Sequence, residues 1–303
     1  MQLINTDTGT YTEKIHFSPL NITKLSEIAK KLKECPYALC DYTTGGLLFG
    51  IRELYSPEIS EVNDHIFLSV KEDDGKRKFL MPISKDSERS LLLLKEYTDK
   101  NNIPLTFTAL TESAAQIVSK VLGTECYALD EGYDYVYDAN SLAYLTGSGY
   151  HTQRTNIRKL EREHGAYVYE PLCEDNREDA LSFWRELFED SVSEHPQWKA
   201  GVEITHDAIA YSDLLGLEGG VLYVEGKVCA VAVGSIKNEM LYIHVLRASR
   251  EIAGAWNLMC REFVLSKIGR IKYVNMEDDL SDAGIRRMKM SYRPIRFLYR
   301  YET

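Results

Sequence analysis

No apolar run in the chain approaches the roughly 20 residues that cross a bilayer. The longest plain one, Leu91–Leu94, sits inside a charged segment, so no integral membrane association is expected. Met1-Gln-Leu-Ile-Asn-Thr-Asp7 lacks the basic-then-apolar order of a signal peptide, which makes a cytoplasmic location the expectation. Cysteine is sparse: six residues, scattered, with Cys35 and Cys40 the nearest pair at four intervening positions. That spacing could supply half of a metal site, but no second pair follows. Reduced structural thiols are expected in such a compartment, and no metal. Gly-x-Ser-x-Gly, His-Glu-x-x-His and the phosphate-loop pattern are all missing. Positive charge is also short, with 36 Lys and Arg against 46 Asp and Glu and a formal net charge of -10. This argues against non-specific nucleic-acid binding by the whole surface and leaves room for a local basic groove.

What is present is an ordinary globular composition, 44% apolar and 27% charged over 303 residues, a length that fits two domains. Ile22, Leu25, Ile28, Ala29 and Leu32 repeat at helical spacing behind Asn21 or Thr23 as cap. Gly45-Gly46 leads into Leu47–Ile51, which reads as a strand. Residues 65–70 and 77–83 read as a hairpin around Asp73-Asp74-Gly75. Helices are expected over 87–101 and 112–122, with a short strand at 105–108. Tyr133–Asp138 reads as an aromatic strand whose Asp138 caps a helix, and a basic helix follows over 152–163. The second half offers a strand at 166–170, helices at 178–193 and 204–215, and a hairpin over 220–234 turning at Glu225-Gly226-Lys227. It continues with strands at 240–246 and 271–276, helices at 252–267 and 280–291, and a strand at 294–301. Each half therefore runs helix, antiparallel strands, helix, strand, helix. That is an α+β pattern, a mixed sheet flanked by helices, and not regular strand–helix alternation. The boundary falls between Gly123 and Gly132.

Four acids meet a cluster of bases in Tyr273–Pro294. If the extended segment continues, Asn275, Glu277 and Asp279 face one way while Val274 and Met276 face a core. One reading makes Glu277 or Asp279 a base or an anchor for a substrate amine. Arg286 and Lys289, three apart on a helix, would then hold an anion. The other reading makes Asp278, Asp279, Ser281 and Asp282 helix-cap residues opposing the dipole. Physics alone leaves both open. His151, Arg154 and Arg158 share a helical face that could hold a phosphate or carboxylate, or could be a solvated face paired with Glu161 and Glu163. The Arg250–Ala255 turn is a degraded version of the turn by which acyl-CoA-dependent acetyltransferases hold pyrophosphate. Arg250 and Gly254 are its candidate cofactor contacts. His244 on an apolar strand reads as a packed, hydrogen-bonded histidine, and Trp198 after His195-Pro-Gln as a cleft or core cover.

Two blocks carry a resemblance. Asn275-x-Glu277-x-Asp279-Leu280, continuing Gly284-Ile285-Arg286-x-x-Lys289-x-Ser291-Tyr292-x-Pro294, is similar to a signature of the DUF2156 family. Tyr150-His151-x-x-Arg154-x-x-Ile157-x-Lys159 matches its other block. The family resembles the C-terminal catalytic domain of phosphatidylglycerol lysyltransferases and usually has Gly where Ser281 stands. The resemblance implies two tandem acyl-CoA N-acyltransferase-like (GNAT-like) domains, here 1–128 and 129–303, each with a mixed, mostly antiparallel sheet flanked by helices. It implies an acyl or aminoacyl transferase moving a group from aminoacyl-tRNA or acyl-CoA to an amine or hydroxyl acceptor, with a tRNA acceptor end as possible partner. It further implies Glu277, Asp279 and Lys289 as catalytic residues. His151, Arg154, Asn275, Arg286 and Tyr292 would bind substrate, and Asn275, Glu277 and Asp279 would face a cleft shared with His151 and Arg154. The competing reading is a small-molecule-binding module without turnover on a duplicated fold.

Overall fold

The computed structural model describes residues 14–52, 56–71, 75–194 and 199–303. Met1–Asp7, Asp73, Asp74 and His195–Trp198, read above, lie outside the described residues. Strands β1 (Ser18–Pro19), β2 (Glu58–Val62), β3 (His65–Lys71) and β4 (Arg77–Phe79) form one antiparallel sheet in that order. A seven-stranded sheet is built from β6 (Asp134–Asp138), β7 (Tyr167–Pro171), β8 (Glu218–Val224), β9 (Lys227–Lys237), β10 (Met240–Ala248), β11 (Tyr273–Asn275) and β12 (Arg296–Leu298). Its order is β12-β6-β11-β10-β9-β8-β7. Only the β10–β11 pair is parallel, so the sheet is mixed and the fold α+β. A small pair, β5 (Tyr127–Ala128) with β13 (Tyr301–Glu302), carries the last strand back to the first half of the chain. There Leu110 and Tyr301 exchange backbone bonds.

Sequence accounts for much of this. Helix α1 (Ile22–Glu34) starts where the Asn21 carbonyl oxygen of the side chain accepts from the Lys24 N–H, and Leu25, Ile28 and Leu32 are buried. The β8–β9 hairpin turns at Glu225 (φ 52°) and Gly226 (φ 74°), both left-handed as a two-residue hairpin turn requires. On β8 and β9, Val221, Val231 and Val233 join one core cluster while Leu222, Ala230 and Ala232 join another, the period-2 alternation of a sheet covered on both faces. Helices α5 (Ala139–Tyr144) and α6 (His151–His164), with α9 (Ala255–Leu265), cover the second face. The first face packs against α1, α2 (Thr44–Arg52) and α7 (Glu174–Glu194), and its core cluster runs without a break into the four-stranded sheet.

Three expectations are corrected. Leu47–Ile51 is not a strand but part of α2. Thr43 starts that helix, its hydroxyl accepting from the Gly46 N–H and donating to the Cys40 carbonyl. Residues 105–108 form only an isolated bridge to Phe79. The extended segment of β11 stops at Asn275, and α10 (Ala283–Ser291) starts at its Asp282 cap, later than expected. Between them Glu277, Leu280 and Ser281 are left-handed, so alternation of faces does not continue. The six cysteines are free thiols, and Cys35 meets the Lys237 ammonium at 2.9 Å rather than Cys40. No helix among the described residues is long and apolar enough to cross a membrane.

Candidate active site

A cavity of about 630 Å³ lies where the end of β10 and the 276–278 loop of the seven-stranded sheet face α2 and β3. Phe49, Leu80, Trp256 and Met276 give it apolar walls, and Glu277, His244, Lys289 and Arg300 are among its polar lining residues. A bulge in the β9–β10 pairing at Ile243–Val245 sets the histidine out of the regular ladder. Bulges of this kind re-aim a side chain beside a site. The His244 ring is buried and lies over Gly45, whose missing Cβ would fall 2.1 Å from the ring.

Glu277 is held from every side. Its φ of +61° is a left-handed conformation that costs a non-glycine residue about 1–3 kcal/mol unless its surroundings impose it. They do. The Asn275 side-chain oxygen accepts from the Glu277 N–H at 2.6 Å, and the Glu277 carbonyl accepts from the Tyr135 N–H at 3.1 Å and from Lys289 Nζ at 3.2 Å. One carboxylate oxygen, Oε1, meets His244 Nδ1 at 2.6 Å. The side chain keeps 17% exposure into the cavity, and its other oxygen has no hydrogen-bond partner among the described residues.

Asn275 is fully buried and serves as a bracket, its amide also donating to Asp134 at 2.8 Å. Lys289 spends its donors on the carbonyls of Met276 (2.6 Å), Glu277 and Asp278, so it braces the loop. Burial pulls its ammonium below the ordinary lysine value, opposed by Glu277 and Asp278. Asp279 is engaged on both oxygens, by Arg286 Nε and Tyr135 Oη at 2.6 Å each and by the Ser281 N–H. The Arg286 hydrogen bond holds that carboxyl below its usual range. Tyr292 is buried, with its hydroxyl accepting from Asn257 at 2.6 Å. The structure does not place Asn275, Asp279, Arg286, Tyr292, His151 or Arg154 in the lining of this cavity. His151 is exposed at the start of α6, and the Arg154 guanidinium donates to the carbonyls of Leu145 and Gly147. Gly254 abuts α6, where a Cβ would come 2.4 Å from the Asn156 carbonyl oxygen.

Several site residues went unread in the sequence. Arg300 reaches Asp41 at 2.9 Å, Asp134 at 3.1 Å and Asp278 at 3.9 Å. One buried cation thus faces three carboxylates contributed by distant parts of the chain. Burial raises the Asp278 carboxyl, opposed by Arg300. Cys40, whose backbone N–H donates to Asp134 at 2.9 Å, keeps its proton because burial and Asp134 push its thiol well up. Local signals do not reveal such partners. His244 was visible as a polar residue on an apolar strand, but not its pairing with Glu277.

A family model described as phosphatidylglycerol lysyltransferase, C-terminal, matches residues 43–302. No curated protein sequence matches the chain. Among solved structures, a conserved protein of unknown function from Bacteroides thetaiotaomicron VPI-5482 superposes with a TM-score of 0.82 at 24% identity, covering 95% of this chain and 98% of that one. The C-terminal DUF2156 domain of a putative lysylphosphatidylglycerol synthetase from Agrobacterium fabrum gives 0.65 at 13% identity, over 93% and 92%. L-PGS from Bacillus licheniformis gives 0.61 at 13%, over 92% and 90%. At these identities the structural likenesses establish the fold.

Proposed function

The chain belongs to the family of phosphatidylglycerol lysyltransferase C-terminal domains, and on that premise we propose that it transfers an aminoacyl group from aminoacyl-tRNA to an amine or hydroxyl acceptor held in the cavity. The observation that carries this reading is Glu277, a partly exposed carboxylate fixed by one oxygen in the lining of a cavity with apolar walls. In the transfer, the acceptor nitrogen or oxygen bonds to the acyl carbon and the ester C–O bond of the donor breaks. The acceptor proton passes to the free oxygen of Glu277 and from there to the departing ribose hydroxyl. Lys289 and Asn275 keep the 276–278 loop in the geometry that this step requires, and the Asp279–Arg286 pair fixes its far side.

Aminoacyl-tRNA is favoured over acyl-CoA by Gly254. The start of α9, where the acetyltransferase-type turn would cradle a pyrophosphate, lies against the backbone of α6. Two GNAT-like halves, 1–128 and 129–303, are part of the same reading, supported by sheets drawn separately from residues 18–79 and 134–298. A donor of this class places the reaction in the cytoplasm. The test is transfer of a labelled aminoacyl group from a charged tRNA pool to amine and lipid-hydroxyl acceptors. Glu277→Gln is expected to slow transfer about 10²–10⁴-fold without loss of folding. Turnover unchanged by that substitution refutes the role of Glu277. Thermal stabilisation by donor without any transfer by the wild type refutes the transferase reading and points to a binding module.

A further inference from the structure

His244 makes two hydrogen bonds, one from each ring nitrogen, and together they form a line of three side chains. Nδ1 meets Glu277 Oε1 at 2.6 Å, and Nε2 meets Ser235 Oγ at 2.8 Å. A carboxylate can only accept, so Nδ1 carries the proton that the Glu277 contact needs. In a neutral ring Nε2 is then an acceptor, and the Ser235 hydroxyl must donate to it. Ser235 is buried on β9 and is not part of the cavity lining, so it is no nucleophile. Its position matches the task of anchoring the ring through Nε2. The ring has little freedom to answer otherwise. Gly45 lies against one side of it, Tyr242 stacks at 6.4 Å between ring centroids, and the β10 bulge sets its backbone.

We propose that Ser235 and His244 are positioning residues for Glu277: the carboxylate sets the imidazole tautomer, Ser235 anchors the ring through Nε2, and the imidazole clamps one carboxylate oxygen so that the other is presented to the acceptor. This deepens the preceding reading and rests on it for the role of Glu277. The clamp itself has a signature that needs no turnover. No proton travels to Ser235. The acceptor proton resides on the free oxygen of Glu277, and Nδ1–H stays on the imidazole throughout.

The experiment combines ¹⁵N-histidine NMR with kinetics on purified full-length protein. In the wild type the His244 ring, assigned by its loss in His244→Gln, is expected to show a protonated Nδ1 and an unprotonated Nε2. Glu277→Ala is expected to move the proton to Nε2, because Nδ1–H loses its acceptor while Ser235 can accept. Ser235→Ala is expected to leave the proton on Nδ1, because the carboxylate remains, and to move the Nε2 resonance, which loses its donor. An asparagine amide reaches about where Nδ1 lies and a glutamine amide about where Nε2 lies. His244→Gln should therefore lower kcat about 100-fold with KM changed less than about threefold, and His244→Asn should recover about tenfold of that loss. An Nε2–H ring in the wild type, or a ring insensitive to Glu277→Ala, overturns the proposal. So do equal losses in His244→Asn and His244→Gln. If the wild type transfers nothing, the transferase reading fails while the imidazole signature still decides the clamp.

Discussion

Replacing Gly45 with alanine puts a methyl group where the His244 ring now lies, and the two cannot coexist. The added Cβ would stand 2.1 Å from Cδ2, 2.2 Å from Cγ and 2.4 Å from Nε2. The ring would have to retreat by about 1.3 Å to recover ordinary contact near 3.4 Å from the 2.1 Å found. A retreat of that size breaks its bonds at 2.8 Å to Ser235 and 2.6 Å to Glu277. The neutral bond contributes about 1 kcal/mol and the charged one about 1.5–3 kcal/mol. Against this stands about 1 kcal/mol gained by alanine over glycine inside a helix. The balance is a loss of about 1.5–3 kcal/mol. Gly50→Ala supplies the internal control in the same helix. Its Cβ would meet nothing nearer than Pro57 Cγ at 3.7 Å, so it should gain up to about 1 kcal/mol. Urea unfolding of both variants and the wild type reads the comparison as midpoints of opposite displacement at equal slope. Gly45→Ala should also depress transfer although Gly45 does not line the cavity. A Gly45→Ala protein as stable as the Gly50→Ala one refutes the reasoning, since the ring would then not be pinned against α2.

Arg300→Met leaves Asp41, Asp134 and Asp278 without their shared cation. A stability loss of about 3–5 kcal/mol is expected, measured by denaturant unfolding. A loss below about 1 kcal/mol contradicts the network. Lys289→Met frees three loop carbonyls. Faster amide exchange confined to residues 276–282 and about 1–3 kcal/mol lower stability are expected, and uniform exchange would count against the brace. Glu218 is held down to about 2 from its ordinary 4.5, first by its hydrogen bonds from Arg270 and then by Lys267, against burial. Its folded value is depressed, so its contribution is present above pH 4.5 and is lost as pH falls toward 2. With Arg270 54% exposed, solvent screening reduces that contribution to about 1–2 kcal/mol. Glu218→Gln should therefore flatten the acid limb of stability between those values, and an unchanged limb refutes the assignment.

Local chemistry was readable where neighbours in sequence decide the outcome. The Asn21 and Asp138 caps and the hairpin at Glu225-Gly226 all formed where turn and cap residues require. Thr44–Arg52 went the other way because its glycines serve tertiary contacts. Gly46 passes 2.1 Å from Cys40 O at its absent Cβ, and Gly45 makes room for a ring two hundred residues distant. Propensity cannot report either approach. At the site, Glu277 stood out in the sequence, but its strained backbone and its histidine partner depend on strands β9, β10 and β11 being adjacent. Charge and spacing, with the resemblance, make Asp279 a catalytic candidate and Arg286 a substrate contact, and the fold pairs the two with each other. Arg154 was read from a helical face, and its guanidinium closes the preceding loop.

The return of the last strand to the first half of the chain has a consequence for biosynthesis. Arg300 and Glu302 belong to the cavity wall that Asp41 and Phe49 begin. Asp41 and Arg300 lie 259 positions apart, so Asp41 leaves the ribosome well before its partner is made. Until Arg300 is added, Asp41 and Asp134 lack the cation they share in the fold. That side of the cavity closes only when β12 pairs with β6 and β13 with β5, bringing Arg300 to both carboxylates. A chain cut before Arg300 would therefore lack one wall of the cavity and leave two buried-site acids without their common partner.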